Sequence, residues 1–163
     1  MDYQAPPSHL PLPYDQEIMH CVVEAARTYQ VPRILVLAII RDESSGNRNA
    51  LRINRRIDKK TGQVKETKDV GLMQINTVWH KELANKYGIA NVEHYITHDA
   101  CYNIKVGTWI LSNEIVYALK DGNSFWVGVG NYHSNTPSLN ESYQRKIANH
   151  IQWLTRHTNW SAY

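Results

Sequence analysis

The sequence predicts a single, mainly helical domain with one small β-hairpin. Apolar residues recur at helical spacing in about six segments of the chain. One segment, residues 50–70, differs from these because it is highly charged and its apolar residues alternate on both sides of Gly62. With 163 residues, of which 42% are hydrophobic, the chain is long enough to bury a core of its own.

The first two helices follow a proline-rich start. Residues 1–14 hold most of the prolines and have no periodicity, so we expect an extended N-terminal arm ahead of a domain over residues 15–163. Asp15 is a typical N-cap for the first helix. A second helix is predicted over residues 32–43, because it begins with a proline and its centre is apolar on nearly all sides.

The charged segment predicts a β-hairpin at about residues 51–69, with Gly62 in its turn. Its charge indicates that it projects into solvent. Because it directly follows Glu43, it could form a flap over a groove there. A solvated loop without a function explains the same residues equally well.

The remaining helices are predicted from caps and periodicity. A third helix has Thr77 as its cap and ends before Gly88. A loop with His94 and His98 leads to Asp99, the N-cap of a long amphipathic helix. The last two helices are predicted over residues 124–131 and from residue 138 onward.

Composition and charge exclude several classes of function. The formal net charge is +3 and no basic helix is interleaved with aromatic residues, so we expect no nucleic-acid partner. No apolar run reaches membrane-spanning length. Residues 1–13 do not form a secretory signal, which is consistent with a cytosolic protein or with a mature form without its leader. His94 and His98 are four residues apart, but no acid or cysteine completes a metal site, so we expect no metal.

Glu43 is the candidate catalytic residue. It stands at the end of the apolar second helix, where partial desolvation favours the neutral carboxyl and raises its pKa. A carboxyl that holds its proton near neutral pH can act as a general acid. Asp42 is not its partner in a dyad, because neighbours on a helix point about 100° apart. From these residues alone, a solvated glutamate that only ends the helix remains an alternative.

Cys21 and Cys101 are the two cysteines of the chain. They allow one disulfide, which would indicate an oxidising compartment. Two separate buried thiols explain them equally well.

Four short segments occur in a fixed order: residues 43–47, residues 71–76, Asn103-Ile104 with Gly107 and Leu111, and residues 130–133. In this order they resemble the soluble lytic transglycosylase family, which has the goose-type lysozyme fold. The closer likeness is to small specialised members that accompany conjugation, pilus and secretion machines, and it covers roughly residues 15–155.

The resemblance implies an enzyme that cleaves the β-1,4 bond between N-acetylmuramic acid and N-acetylglucosamine in peptidoglycan. Glu43 would protonate the bridging oxygen and then take the proton of the 6-hydroxyl, which closes a 1,6-anhydro ring without water or any cofactor. The expected partner is the glycan strand. The likeness also implies a periplasmic monomer that opens the wall for a type III or type IV secretion, conjugation or pilus assembly. A phage enzyme delivered in a virion is an alternative.

The same resemblance assigns supporting roles to other residues. Gln74, Met73 and Asn76 would line the sugar site, and the Tyr132 hydroxyl would lie near Glu43 to bond it or the sugar's acetamido group. Ser45 would contact sugar or only end the helix. Cys21 and Cys101 match the cysteine pair of the specialised members, which predicts a bridge.

Two positions bear on the chemistry that the resemblance implies. His133 stands where most members have Asn, and is either a pH-sensitive groove residue or a surface histidine. Hydrolytic goose-type relatives have Asp where Asn76 stands, which favours the reaction without water. Asp69 could nevertheless hold a water, so a lysozyme-like hydrolase stays open, as does an inactive peptidoglycan-binding scaffold.

Overall fold

A computed structural model describes residues 10–160, and within them the chain forms seven helices and a three-stranded sheet. The predicted mainly helical fold with an inserted hairpin is confirmed, with one helix more than the expected six. The elements are α1 (Gln16–Tyr29), α2 (Arg33–Ser44), β1 (Leu51–Ile57), β2 (Val64–Val70), β3 (Ile75–Asn76), α3 (Thr77–Tyr87), α4 (Val92–His98), α5 (Ala100–Lys120), α6 (Phe125–Asn131) and α7 (Pro137–His157).

Helix α2 lies at the centre of the core. Residues 35–40 are all at most 2% exposed, as expected for a helix that is apolar on nearly all sides. Helix α2 packs against α1 and α7, and α5 packs against α1 and α6. A disulfide between Cys21 and Cys101 joins α1 to α5, with 5.1 Å between their Cα atoms, so the bridge that the resemblance implied is present.

The sheet has the strand order β1-β2-β3 and is antiparallel throughout. Strands β1 and β2 form the predicted hairpin, in which Leu51 pairs with Val70 and Ile57 with Val64. Gly62 lies in the turn with φ +67°, a conformation that glycine adopts without strain. The third strand, β3, was not predicted, because two residues are too few for an alternating pattern.

Two local predictions are wrong. His94 and His98 lie in helix α4 rather than in a loop. This helix begins after Asn91, which has left-handed φ and makes no side-chain cap, so the usual start signal is missing. Helix α3 is capped by Asn76 rather than by Thr77, since Oδ1 of Asn76 accepts a 3.0 Å hydrogen bond from the Val78 N–H.

The proline-rich start is only partly described. Residues 1–9 lie outside the described residues, so the predicted arm and the domain boundary at residue 15 stay predictions. Within the described part, the Pro11 carbonyl accepts a 2.8 Å hydrogen bond from the Asn159 N–H, beyond the end of α7. Tyr14 packs against the core. None of the described helices is long and apolar enough to cross a membrane.

Candidate active site

Glu43 stands in the last turn of α2, where the helix ends because the next residues leave helical geometry. Ser45 has φ +52° and Gly46 has φ +80°. The Ser44 hydroxyl donates a 2.8 Å hydrogen bond to the Leu72 carbonyl, which ties this helix end to the segment after β2. The Glu43 side chain is partly buried and lines a cleft of about 900 Å³. That volume falls in the range of small-molecule sites.

One side of the cleft is partly apolar, and the hairpin forms the other, polar side. Trp79, Val78 and Ile110 form an apolar part, and the hairpin supplies most of the polar surface. The hairpin is therefore a wall of the cleft beside Glu43, as the flap hypothesis expects. The other lining residues are Arg52, Ile53, Asn54, Arg55, Arg56, Lys65, Thr67, Asp69, Gln74, Ile75, Asn76, Tyr132 and His133.

Burial raises the pKa of Glu43 from 4.5 to about 7. The hydrogen bond from Tyr143 and the charge of Arg52 act in the opposite direction, while the negative charges of Asp42 and Asp69 raise the pKa further. A carboxyl with such a pKa holds a proton over much of the physiological range and loses it readily. It can therefore serve as an acid in one step and as a base in the next.

Tyr143 is the direct partner of Glu43. Its hydroxyl donates a 2.8 Å hydrogen bond to Oε1 of Glu43, and its side chain is only 2% exposed. Burial and the neighbouring carboxyl of Glu43 raise the pKa of Tyr143 well above 10, so the phenol remains a donor. The sequence indicated only that Tyr143 lies on the apolar face of the last helix. The one sign of a further role was its hydroxyl, because Phe would pack equally well at a core position.

Tyr132 lines the cleft but does not bond Glu43. Its hydroxyl donates a 2.7 Å hydrogen bond to the Met73 carbonyl, and its ring lies 6.5 Å from that of Tyr143. The bond to Glu43 that the resemblance allowed for Tyr132 is therefore made by Tyr143 instead. Tyr132 joins the end of α6 to the turn after β2.

The turn over residues 71–76 is held by Asn103. The Asn103 carboxamide accepts a 2.9 Å hydrogen bond from the Met73 N–H and donates one of 2.9 Å to the Val70 carbonyl. Gly71 has φ +78°, and a Cβ there would collide with this carboxamide. Glycine is therefore needed at position 71 both for its conformation and for the close approach.

Gln74 and Met73 differ in where they face. Gln74 lines the cleft, and its amide donates hydrogen bonds to the Ala50 and Gly71 carbonyls at 3.2 and 3.0 Å. The Met73 side chain is fully buried, and it packs against Gly107 of α5. Met73 therefore offers the cleft no side-chain contact, whereas a sugar-binding role for Gln74 stays a prediction.

Asn76 is engaged by its neighbours, although it lines the cleft. Its amide donates a 2.7 Å hydrogen bond to Oδ1 of Asp69, while its carbonyl oxygen caps α3. The other oxygen of Asp69 accepts a 2.7 Å bond from Asn54. The two asparagines thus fix a second carboxylate in the cleft. Asp69 was predicted only as a residue that could hold a water.

Ser45 and His133 lie at the margins of the site. Ser45 is exposed in a shallow pocket beside Glu43 and Gln74, where a sugar contact stays a prediction. The His133 ring stacks on Tyr143 with 5.0 Å between centroids, and burial lowers its pKa. His133 is thus part of the cleft wall and also reaches solvent.

Trp79 also lines the cleft. It could not be identified from the sequence, because it belongs to none of the four segments that carry the resemblance.

No group of three or more His, Cys, Asp or Glu side chains that could hold a metal ion is found among residues 10–160. The rings of His94 and His98 lie 4.9 Å apart on α4, on the surface of the fold.

The chain is similar in sequence to known proteins over most of its length. Residues 20–151 match the model of the family described as "Transglycosylase SLT domain". A "peptidoglycan-binding-like protein" of Escherichia coli O157:H7 is 36% identical over 91 residues, which are 56% of this chain and 52% of that protein. A second peptidoglycan-binding-like protein, from Escherichia coli strain K12, is 30% identical over 128 residues, which are 78% and 75% of the two chains. The chain therefore spans about half of the first relative and three quarters of the second.

Proposed function

The chain belongs to the transglycosylase SLT domain family, and from this membership we propose that it is a peptidoglycan lytic transglycosylase with Glu43 as its single general acid and base. The observation that carries the proposal is a partly buried carboxyl, bonded by Tyr143, whose pKa burial raises to about 7 in a cleft of about 900 Å³. Such a group is protonated when substrate arrives and can take a proton back afterwards.

In the proposed first step, Glu43 gives its proton to the oxygen between N-acetylmuramic acid and N-acetylglucosamine. The bond from C1 of the muramic acid to that oxygen breaks, and the N-acetylglucosamine part leaves with a new hydroxyl. The 2-acetamido group stabilises the positive charge that develops at C1. Because Oε1 of Glu43 accepts the hydrogen bond from Tyr143, Oε2 is the atom that carries the proton.

In the second step, the Glu43 carboxylate takes the proton of the 6-hydroxyl of the same muramic acid. The 6-oxygen bonds to C1 and closes the 1,6-anhydro ring. Glu43 ends the cycle protonated, and no water is consumed. One residue serves both steps, because the acid of the first step is the base of the second.

Digestion of purified sacculi by the wild type and by Glu43→Gln tests this proposal. The wild type is expected to release muropeptides with 1,6-anhydro ends, and Glu43→Gln is expected to lose nearly all lysis, because its amide cannot donate an acidic proton. The matched control is Glu82→Gln, which removes a half-buried acid of α3 outside the cleft lining and should lyse like the wild type. Equal lysis by Glu43→Gln would overturn the assignment.

A muramidase that uses water is a second candidate, favoured by Asp69 in the same cleft. Asn54 and Asn76 hold its carboxylate, which could direct a water toward C1. The same digest separates the two reactions, since hydrolysis leaves reducing ends. A binding scaffold without activity is a third candidate, favoured by the peptidoglycan-binding-like names of the relatives. It would pellet with sacculi but release nothing.

We further propose that the protein acts in the periplasm, where it opens local gaps in the wall for a secretion, conjugation or pilus assembly. The Cys21–Cys101 disulfide supports an oxidising compartment, and the association with a machine rests on the resemblance to specialised members. Fractionation of the native host tests the location, with recovery in purified virions as the result expected of a phage enzyme.

A further inference from the structure

The hairpin presents a basic face to the cleft. Because side chains alternate along a strand, Arg52, Asn54 and Arg56 of β1 project from one face of the hairpin. All three line the cleft together with Glu43, and so do the residues opposite them in the hairpin, Asp69, Thr67 and Lys65. Ile53 and Arg55 also border the cleft, but their partners Lys68 and Glu66 do not. The Arg52 charge acts on the pKa of Glu43, which indicates that this face continues up to the candidate catalytic carboxyl.

Two basic side chains of the hairpin are paired with acids, but those of Arg52 and Arg56 are not. Lys59, Lys60 and Lys68 make no ion pair within residues 10–160 either, but none of them lines the cleft. Arg55, on the opposite face of β1, bonds Glu66 at 3.1 Å, and Lys65 bonds Asp58 at 2.7 Å. Within residues 10–160, no hydrogen bond or ion pair is made by the guanidinium of Arg52 or of Arg56. Asp69 pairs with Arg52 in the strand register, but Asn54 and Asn76 bond its oxygens instead.

The pairing of Arg56 with Lys65 also points to an external anion. These two residues are directly opposite each other in the hairpin. Like charges at opposite positions destabilise a sheet. Asp58 compensates the charge of Lys65 only, so a bound carboxylate would compensate the charge that remains on Arg56.

The spacing of the two arginines limits the ligand. Four residues of strand separate them by about 13 Å, which is close to the length of an extended peptide of about four residues. Guanidinium groups bind carboxylates in a bidentate manner. The fitting ligand is thus a short, extended peptide with more than one free carboxylate.

We propose that Arg52 and Arg56 bind the carboxylates of the peptide stems that peptidoglycan carries on its muramic acid residues. The protein then prefers glycan with stems over bare glycan. This inference rests on peptidoglycan as the substrate, as proposed above, and it adds which part of that polymer the hairpin recognises. Sugar occupies the cleft between the hairpin and Trp79, while the stem extends along β1.

A binding experiment separates this inference from the proposed reaction. Glu43→Gln is used as the background because it cannot turn substrate over, and its dissociation constant is measured for soluble glycan strands with stems and for the same strands stripped of peptide by an amidase. The measurement is made at about pH 5, where the stem carboxylates are still largely ionised. We expect about tenfold tighter binding to strands with stems. The double variant Arg52→Gln/Arg56→Gln in this background should bind both strands equally.

Arg27→Gln is the control, since it removes an exposed arginine of α1 that does not line the cleft. It should keep the preference for stems. Equal binding of both strands by the Glu43→Gln background would overturn the inference. So would an equal loss of preference in Arg27→Gln, which would indicate a general attraction to any polyanion. Absence of 1,6-anhydro ends in the digest would overturn the reaction but leave a measured preference for stems intact.

Discussion

The hydroxyl of Tyr143 donates a 2.8 Å hydrogen bond to Oε1 of Glu43, across 100 residues of sequence. It joins the last turn of α2 to α7 and leaves Oε2 free for the proton transfer proposed for Glu43. The bond also lowers the pKa of Glu43 against the larger effect of burial. Tyr143 is therefore a positioning residue for the candidate acid.

Tyr143→Phe should slow the reaction and move its pH profile. Without the hydrogen bond the Glu43 carboxyl is free to rotate, so we expect kcat to fall about tenfold. Its pKa should rise, because the bond that favoured the carboxylate is gone, and the alkaline limb of the rate profile should move to higher pH. Lysis rates measured between about pH 4 and pH 9 test both effects.

Tyr132→Phe is the matched control for this prediction. It removes the hydrogen bond to the Met73 carbonyl and leaves the bond between Tyr143 and Glu43 in place. We expect a less stable protein whose alkaline limb stays where the wild type has it. The role assigned to Tyr143 would be contradicted if the alkaline limb of Tyr143→Phe stayed at the wild-type pH. It would also be contradicted if that limb moved by the same amount in both variants.

Glu43 should destabilise the fold at high pH. Its pKa is about 7 in the folded protein against 4.5 for an unburied carboxyl. The folded state therefore binds the proton more tightly, and the free energy of unfolding falls as the pH rises from about 4.5 to about 7. Glu43→Gln has no carboxyl to ionise, so it should be more stable than the wild type by about 3 kcal/mol at pH 8 and by little at pH 4. Urea unfolding at the two pH values checks this.

Glu82→Gln alters a half-buried glutamate of α3 whose one ion pair, with Lys86, is long at 3.9 Å. It should stay close to the wild type in stability at both pH values. A stability difference between Glu43→Gln and the wild type that is the same at pH 4 and pH 8 would contradict a raised pKa of Glu43.

The sequence predicted the parts of this site that depend on local signals. Helix α2 could be placed because its proline start and apolar centre are local features. Glu43 became a candidate through its position at the helix end, and its assignment as the acid rested on the resemblance. The hairpin followed from alternation around Gly62. In each case neighbouring residues in the sequence determine the structure.

The parts that depend on packing between distant elements could not be predicted. Periodicity placed Tyr143 in the core but could not say that its hydroxyl reaches Glu43, because that contact depends on how α7 crosses α2. Alternation likewise predicted the hairpin but not which of its faces turns toward the cleft. The hairpin's direction depends on β3, which is too short to be detected.

Asp42→Asn should move the pH profile in the direction opposite to Tyr143→Phe. The Asp42 charge raises the pKa of Glu43. Asparagine removes this charge but can still accept the 3.0 Å contact with Nε2 of His150. We therefore expect the pKa of Glu43 to fall and the alkaline limb to move to lower pH. Asp121→Asn, in an exposed turn after α5, is the control and should leave the limb unchanged. A limb that moves upward in Asp42→Asn would contradict the prediction.

Gly71→Ala should damage both the fold and the cleft. At φ +78° an L side chain is strained, and its Cβ would collide with the Asn103 carboxamide that holds the Met73 N–H and the Val70 carbonyl. We expect a loss of about 3 kcal/mol in the free energy of unfolding, from strain and overpacking together. Displacement of this turn should also move Gln74 and weaken glycan binding, which a dissociation constant measured in the Glu43→Gln background detects.

Gly62→Ala separates strain from collision, because Gly62 has a similar φ of +67° but no heavy atom near the position of a Cβ. It should cost about 1 kcal/mol, the effect of the left-handed conformation alone. Urea unfolding of the two variants compares them directly. Equal losses would mean that backbone strain accounts for the whole effect and that the close approach of Asn103 to Gly71 does not stabilise the turn beside Glu43.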